Sequence, residues 1–133
     1  MENYEFNVNF TELEHMDIEE AKKIIAEFNN EVDFEELGAE INGEDYCVYP
    51  IDESDWDDQG KYQCQDMTGI LCKSDKDGRT HKYDIAVTQY ITRSGSYFSE
   101  YYYEYDPLEV RQLVQKVIPQ QIIPEHTIVT FAE

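Results

Sequence analysis

Residues 62–73 and 80–93 restrict this chain more than any other feature. Both stretches mix β-branched and aromatic residues with polar ones. The segment between them, Ser74-Asp75-Lys76-Asp77-Gly78, is turn chemistry that ends in Asp-Gly. The pair predicts a long antiparallel hairpin. On its second arm Tyr83, Ile85, Val87 and Ile91 share one face, and Lys82, Asp84, Thr88 and Thr92 share the other. That alternation predicts one core side and one solvent side.

The rest of the chain supplies neighbours for the hairpin. Tyr4, Phe6, Val8 and Phe10 alternate with polar residues as in a strand with one buried face. Asp17 followed by Glu20 is a capping box, with Met16 and Ala21 as a hydrophobic staple. Ile18, Ala21, Ile25 and Phe28 then recur at helical spacing, which predicts a helix over 17–29. Asp33 to Glu36 repeats the capping pattern and predicts one helical turn ended by Gly38. Residues 46–51 read as a short strand, 52–60 as a polar loop carrying Trp56, and 97–105 as a strand broken by Asp106-Pro107. Residues 108–118 fit either a helix or a strand, with β-branched content favouring the strand. Residues 127–131 read as a final strand. The expected class is α+β: a mostly antiparallel, twisted β-sheet with one N-terminal helix packed on it.

A chain of 133 residues fits one domain, 1–133, with an acidic half (1–60) and a β-rich half (61–133). The apolar fraction of 41% and aromatic fraction of 14% are too high for a disordered acidic tail. No apolar run approaches the roughly 20 residues of a membrane span, and residues 1–10 carry no signal-like pattern, so a cytoplasmic protein of a bacterial host cell is expected. Cys47, Cys64 and Cys72 form no CxxC pair, which favours reduced thiols over a disulfide framework or a structural zinc site.

The charge is extreme and unevenly placed. Residues 1–60 hold 20 Asp and Glu against Lys22 and Lys23, net −18, while residues 61–133 hold 10 acids against 8 basic residues, net −2. Within the first half, Glu31, Asp33, Glu35, Glu36, Glu40, Glu44, Asp45, Asp52, Glu53, Asp55, Asp57 and Asp58 follow one another with no Lys or Arg between them. A surface like this repels nucleic acid and anionic membranes, so a partner must be basic or cationic.

Motifs for catalysis are missing. No nucleophile elbow or Cys/His signature frames a serine or cysteine, and glycine never forms a phosphate-cradling pattern. His15, His81 and His126 lack metal-ligand spacing. Residues 55–66 loosely follow a calcium loop, with Asp55 first, Gly60 sixth and Asp66 twelfth, but lack the bidentate Glu at the end. No enzyme, cofactor or metal is expected from these residues, and a calcium-binding module is the third of three readings.

The least ordinary stretch is Arg93 to Asp106, RSGSYFSEYYYEYD, which as a strand places Tyr97, Tyr101, Tyr103 and Tyr105 on one face and Tyr102 on the other. Such a strand either covers the helix or offers large aromatic contact area to a partner. GKYQ (Gly60 to Gln63) followed by a strand and RSGSYFSEYYYEY resembles short proteins of bacteriophages and mobile elements of low-GC bacteria. That resemblance covers the middle third to half of the chain, leaves the acidic half outside it, and implies an all-β core and a phage setting. By composition the chain is similar to anti-restriction and anti-CRISPR proteins that mimic DNA.

Duplex DNA carries one charge per roughly 1.7 Å, so the −18 of the first half equals that of about 31 Å of duplex. A compact chain of this length is about 36 Å across. The expected function is inhibition of a host-defence nucleic-acid enzyme, a basic nucleic-acid-binding protein or nuclease complex. Glu35, Glu36, Glu40, Glu44, Asp45, Asp52, Glu53, Asp55, Asp57 and Asp58, with Glu19, Glu20 and Glu27 on the helix, would replace phosphates in its channel. Trp56, Tyr97, Tyr101, Tyr102 and Tyr103 would add specificity. Neither direct nucleic-acid binding nor a membrane role is expected. The runner-up is an assembly protein docking through its Tyr-rich strand.

Overall fold

The structure, a computed structural model, describes residues 6–8, 10–95, 102–116 and 127–132. In chain order it runs β1 (Phe6–Val8), a 3-10 turn (Phe10–Glu12), α1 (Ile18–Ile25) and a second 3-10 turn (Phe34–Glu36). Then follow β2 (Gly38–Ile41), β3 (Glu44–Glu53), β4 (Asp57–Asp58), β5 (Tyr62–Ser74), β6 (Thr80–Ser94), β7 (Tyr102–Tyr105), β8 (Glu109–Lys116) and β9 (Thr127–Phe131). All the strands join one antiparallel sheet in the order β1-β9-β8-β6-β5-β3-β2, with β4 also paired to β5 and β7 also paired to β6. The class is α+β, as the sequence predicts.

The β5–β6 hairpin is the spine. Its turn closes through Asp75 N–H to Arg79 O (3.0 Å) and Gly78 N–H to Asp75 O (3.1 Å), while the Asp75 carboxylate accepts from the amides of Asp77 and Arg79. Gly78 takes φ +80°, a conformation that L side chains rarely adopt. Strand β3 of the acidic half lies directly beside β5, with Asp45 opposite Ser74 and Glu53 opposite Met67.

Helix α1 is shorter than the predicted 17–29. Asp17 caps it by accepting from Glu19 N–H at 3.1 Å. After Ile25 the chain tightens, with Glu27 N–H bonding Ile24 O and Phe28 N–H bonding Ile25 O, three residues back instead of four. Phe28 is still buried, together with Ala21, Ile24 and Ile25, against Phe34, Leu37 and the sheet residues Val48, Leu71, Tyr83, Ile85 and Val87. Gly69 makes this contact possible: a Cβ there would lie 2.4 Å from Val48 Cγ1, 2.6 Å from Tyr49 O and 2.9 Å from Phe34 Cζ.

Several expectations are corrected. The second face of β6 is not solvent, since Asp84, Ala86 and Thr88 are all buried. The sheet curls until β1 approaches β3, and the enclosed side holds a second core of Ile70, Ala86, Leu113 and Val129, joined by Phe10, Leu13, Ile51 and Phe131. Phe10 belongs to a 3-10 turn rather than to the first strand. Gly38 does not end a helix. It starts β2, where a Cβ would meet Tyr46 O at 2.5 Å. The stretch read as a polar loop is partly strand: Asp52 and Glu53 finish β3, and Asp57 and Asp58 form β4. Within 108–118, Glu109–Lys116 form strand β8, and 117–118 lie outside the described residues.

Candidate functional site

The Asn42-Gly43 turn joins β2 to β3 with positive φ at both residues, 53° and 81°, the mirror-image turn that suits strand twist. It places Glu40 opposite Asp45 on the outermost strand pair. Because β6 pairs along nearly the whole of β5 on one side, β3 and β4 must share the other side. β2, the open half of β3 and β4 therefore make one continuous sheet edge.

That edge carries most of the predicted carboxylates. Glu40, Asp45, Asp52, Glu53, Asp55, Asp57 and Asp58 are all exposed along it. From Gln63, opposite Asp58, to Ser74, opposite Asp45, the edge spans roughly 36 Å of strand. The charges fall in two groups, Glu40 and Asp45 at the β2 end and Asp52, Glu53, Asp55, Asp57 and Asp58 at the β4 end, separated by roughly 20 Å of β5 between Ser74 and Thr68. The second group spreads five carboxylates over about 17 Å, close to the 3.4 Å spacing of phosphates on one strand. Glu44 is the least free of the set, its carboxylate 3.4 Å from Lys73 Nζ. Glu20 of α1 and Glu27 in the turn just after it line a groove with Glu40, Lys23 and Asn42, so these acids extend the β2 end of the edge. Glu19 pairs with Lys22 at 3.7 Å. Glu35 and Glu36 lie exposed on the second 3-10 turn and are not part of the edge strands.

At the open end of the hairpin four strands lie side by side, β4-β5-β6-β7. Arg93 stacks its guanidinium 3.9 Å from the centre of the Trp56 ring and donates from Nε to Gln63 Oε1 at 2.7 Å. On β7, Tyr102 is 73% and Tyr103 49% exposed, and Tyr62 on β5 is 46% exposed. Arg93 faces Tyr103 and Ser94 faces Tyr102 in the β6–β7 register, while Ser94 also faces Tyr62 across β5. The acidic and tyrosine blocks, far apart in sequence, thus converge here. Tyr105 donates to Asp33 at 3.2 Å and anchors β7, and burial, then this bond, raises its phenol pKa. Tyr97 and Tyr101 fall outside the described residues. Of the face read as a cover for α1, Tyr103 is exposed and Tyr105 is half-buried.

Several acids at the hairpin's turn end are engaged instead. His81 sits between Asp75 (3.0 Å) and Glu14 (2.6 Å), and those carboxylates, Asp75 first, raise its pKa above 6.5. The same contact lowers Asp75. His15 bonds the buried Asp84 at 2.8 Å and is likewise raised, while Met16 N–H donates to the second oxygen of Asp84 at 2.9 Å. These histidines hold residues 14–16 to β6.

Residues 55–66, read as a calcium-loop candidate, are a β-hairpin in which Asp57 opposes Cys64 and Asp58 opposes Gln63. Among the described residues no three His, Cys, Asp or Glu side chains are grouped to hold a metal. Among them, too, no helix is long and apolar enough to cross a membrane. Sequence reading missed the β2–β3 hairpin, although Asn42-Gly43 between polar-apolar alternations is its plainest signal. It also missed the Trp56–Arg93 stack, which no spacing announces.

No curated protein and no solved structure matches the chain at a significant level. One family, described as Phage T4 Y04K protein, matches residues 8–131. That span takes in the acidic half, which the motif resemblance had left outside, so this is a phage protein along nearly its full length, and the chain belongs to the Phage T4 Y04K protein family.

Proposed function

We propose that this phage protein is a non-catalytic inhibitor of a host-defence nucleic-acid enzyme of the anti-CRISPR or anti-restriction kind, laying its acidic edge into a Lys- and Arg-lined DNA or RNA channel. The observation that carries the reading is the row of exposed carboxylates from Asp52 to Asp58, with Glu40 and Asp45 farther along the same sheet edge of roughly 36 Å. Such a row replaces one phosphate backbone and gains the counterion-release free energy that nucleic acid gains. Carboxylates alone suit any basic surface. Trp56, Tyr62, Tyr102 and Tyr103 at the Asp58 end give the contact its selectivity, since aromatic anchors dominate interface energy. The partner is a nuclease complex rather than nucleic acid itself.

Acidic residues on an edge strand also prevent sheets from pairing edge to edge, and that is the simpler use of the same residues. Salt and competition separate the two. Tagged protein incubated with a bacterial lysate should retain a nuclease that elutes between low and moderate salt and is displaced by its own nucleic-acid substrate. The recovered enzyme should then be inhibited by the purified chain. A chain that retains no nuclease, or leaves the recovered enzyme fully active, removes this reading.

The second reading, docking through the tyrosine strand, is favoured by the exposure of Tyr102 and Tyr103 on β7. A partner held that way would be indifferent to nucleic-acid competitor and nearly so to salt.

A further inference from the structure

Cys47 on β3 and Cys72 on β5 stand directly opposite each other. Directly opposed residues of antiparallel strands have Cα atoms about 4.5–5.5 Å apart and project to the same face. That separation lies within the roughly 4.4–6.8 Å that a disulfide bridges. Both cysteines are free thiols; Cys47 is exposed and Cys72 is 2% exposed. Opposite Cys47 on its other side is Gly38, which has no side chain to cover it.

We propose that Cys47 and Cys72 form a dithiol site that a low-molecular-weight disulfide oxidises to a cross-strand bond stapling β3 to β5. The accessible Cys47 thiolate attacks one sulfur of the small disulfide, forms a mixed disulfide and releases one thiolate, which takes up a proton. Cys72 then loses its proton to solvent and attacks the Cys47 sulfur, expelling the second small thiol. Two protein thiols give up two electrons and one disulfide is reduced to two thiols.

The surroundings set the order of these steps. Burial pushes the Cys72 thiol up to about 11, so it is a poor first nucleophile. Burial raises Cys47 as well, and the neighbouring Cys72 thiol offsets part of that rise, while the Cys72 thiol itself donates to Ile70 O at 3.5 Å. Lys82, opposite Cys72 on β6, favours the second thiolate, whereas Asp45 opposes the first. Cys64 is eight residues along β5 from Cys72, roughly 26 Å away, and cannot join the pair. This chemistry is independent of any partner.

The test uses the full native chain in graded mixtures of oxidised and reduced glutathione, quenched by alkylation and read by intact mass and peptide mapping. The expected product lacks two alkylatable thiols, yields a Cys47–Cys72 cross-linked peptide, keeps Cys64 alkylated and melts at a higher temperature than the reduced form. Cys64→Ser should form the same product, and Cys47→Ser, at an exposed position that the fold tolerates, should not. A glutathione adduct that persists on Cys47 with Cys72 still reduced, or a cross-link through Cys64, overturns the assignment.

Discussion

The two ends of the β5–β6 hairpin treat charge in opposite ways. At the turn end Glu14 and Asp75 clamp His81, Glu44 meets Lys73, and Asp84 holds His15, leaving Glu40 and Asp45 exposed beside them. At the open end Asp52, Asp55, Asp57 and Asp58 stay exposed, and Asp57 and Asp58 accept local bonds, from Gln59 and from the Gly60 amide. The fold uses the first set to fix residues 14–16 and does not need the second set for its own packing. Carboxylates that repel one another without helping the fold are the ones to suspect of an external role.

The largest effect should come from breaking that contrast. Reversing Asp52, Glu53, Asp55, Asp57 and Asp58 to Lys should weaken the proposed nuclease contact at least a hundredfold, about 3 kcal/mol, and should leave the melting temperature equal or higher. Glu53 accepts a bond from the buried Gln65 at 3.1 Å, so a second variant that keeps Glu53 guards against local misfolding. Neutralising Glu14 and Asp75 should do the reverse, lowering the melting temperature while leaving binding within about twofold. Equal loss of binding from both ends would mean that net charge, not the edge, attracts the partner.

Gly69 lies between the two ends, beneath Phe34 and Val48. Adding a methyl there forces contacts below 3 Å on backbone as well as side chain, and Gly69→Ala should cost about 1–3 kcal/mol in urea unfolding. Trp56 fluorescence reports the open end and the His81 NMR signals report the turn end. Coincident transitions would show that the ends form one cooperative unit in spite of their different charge economy. Separate transitions would divide the sheet into two.

The long alternating segments made much of this architecture legible. The hairpin, the terminal strand and the existence of α1 followed from period and capping, because those signals are local. What failed was whatever depended on curvature. Thr88 and Asp84 look like solvent-facing residues, and only a sheet that curls back on itself buries them. The carboxylate block was visible as a block, but its arrangement as a row depended on β4 falling beside β5, a two-residue pairing without a propensity signal. Tyr102 and Tyr103 were recognised as a candidate surface, while their nearness to Trp56 came from strand order. The Cys47–Cys72 pairing is a matter of register, which composition does not specify.

A smaller effect is expected at the stacked pair. Trp56→Ala removes the ring over Arg93 and should cost about 0.5–1 kcal/mol of stability. Tyr102→Ala should change stability by less than about 0.5 kcal/mol, since the ring is largely exposed. If Tyr102→Ala nonetheless abolishes partner capture and the charge reversal does not, the tyrosine strand, not the acidic edge, is the docking surface.

The smallest effect concerns pH, and it isolates the turn end. The folded pKa of His81 is raised above 6.5 by Asp75 and then Glu14, so the clamp is at full strength below 6.5 and weakens as pH rises through the folded value. Asp75 is lowered from 3.8, so its share is complete above 3.8 and is lost as pH falls through its depressed value. Between those limits both contribute. The remaining carboxylates complicate the absolute curve, because protonating them relieves self-repulsion and stabilises the fold for unrelated reasons. The difference between wild type and His81→Gln cancels that background. It should be largest near pH 5.5 and shrink toward pH 8.5 in parallel urea titrations, and a difference that does not change with pH would mean that His81 contributes packing and not charge.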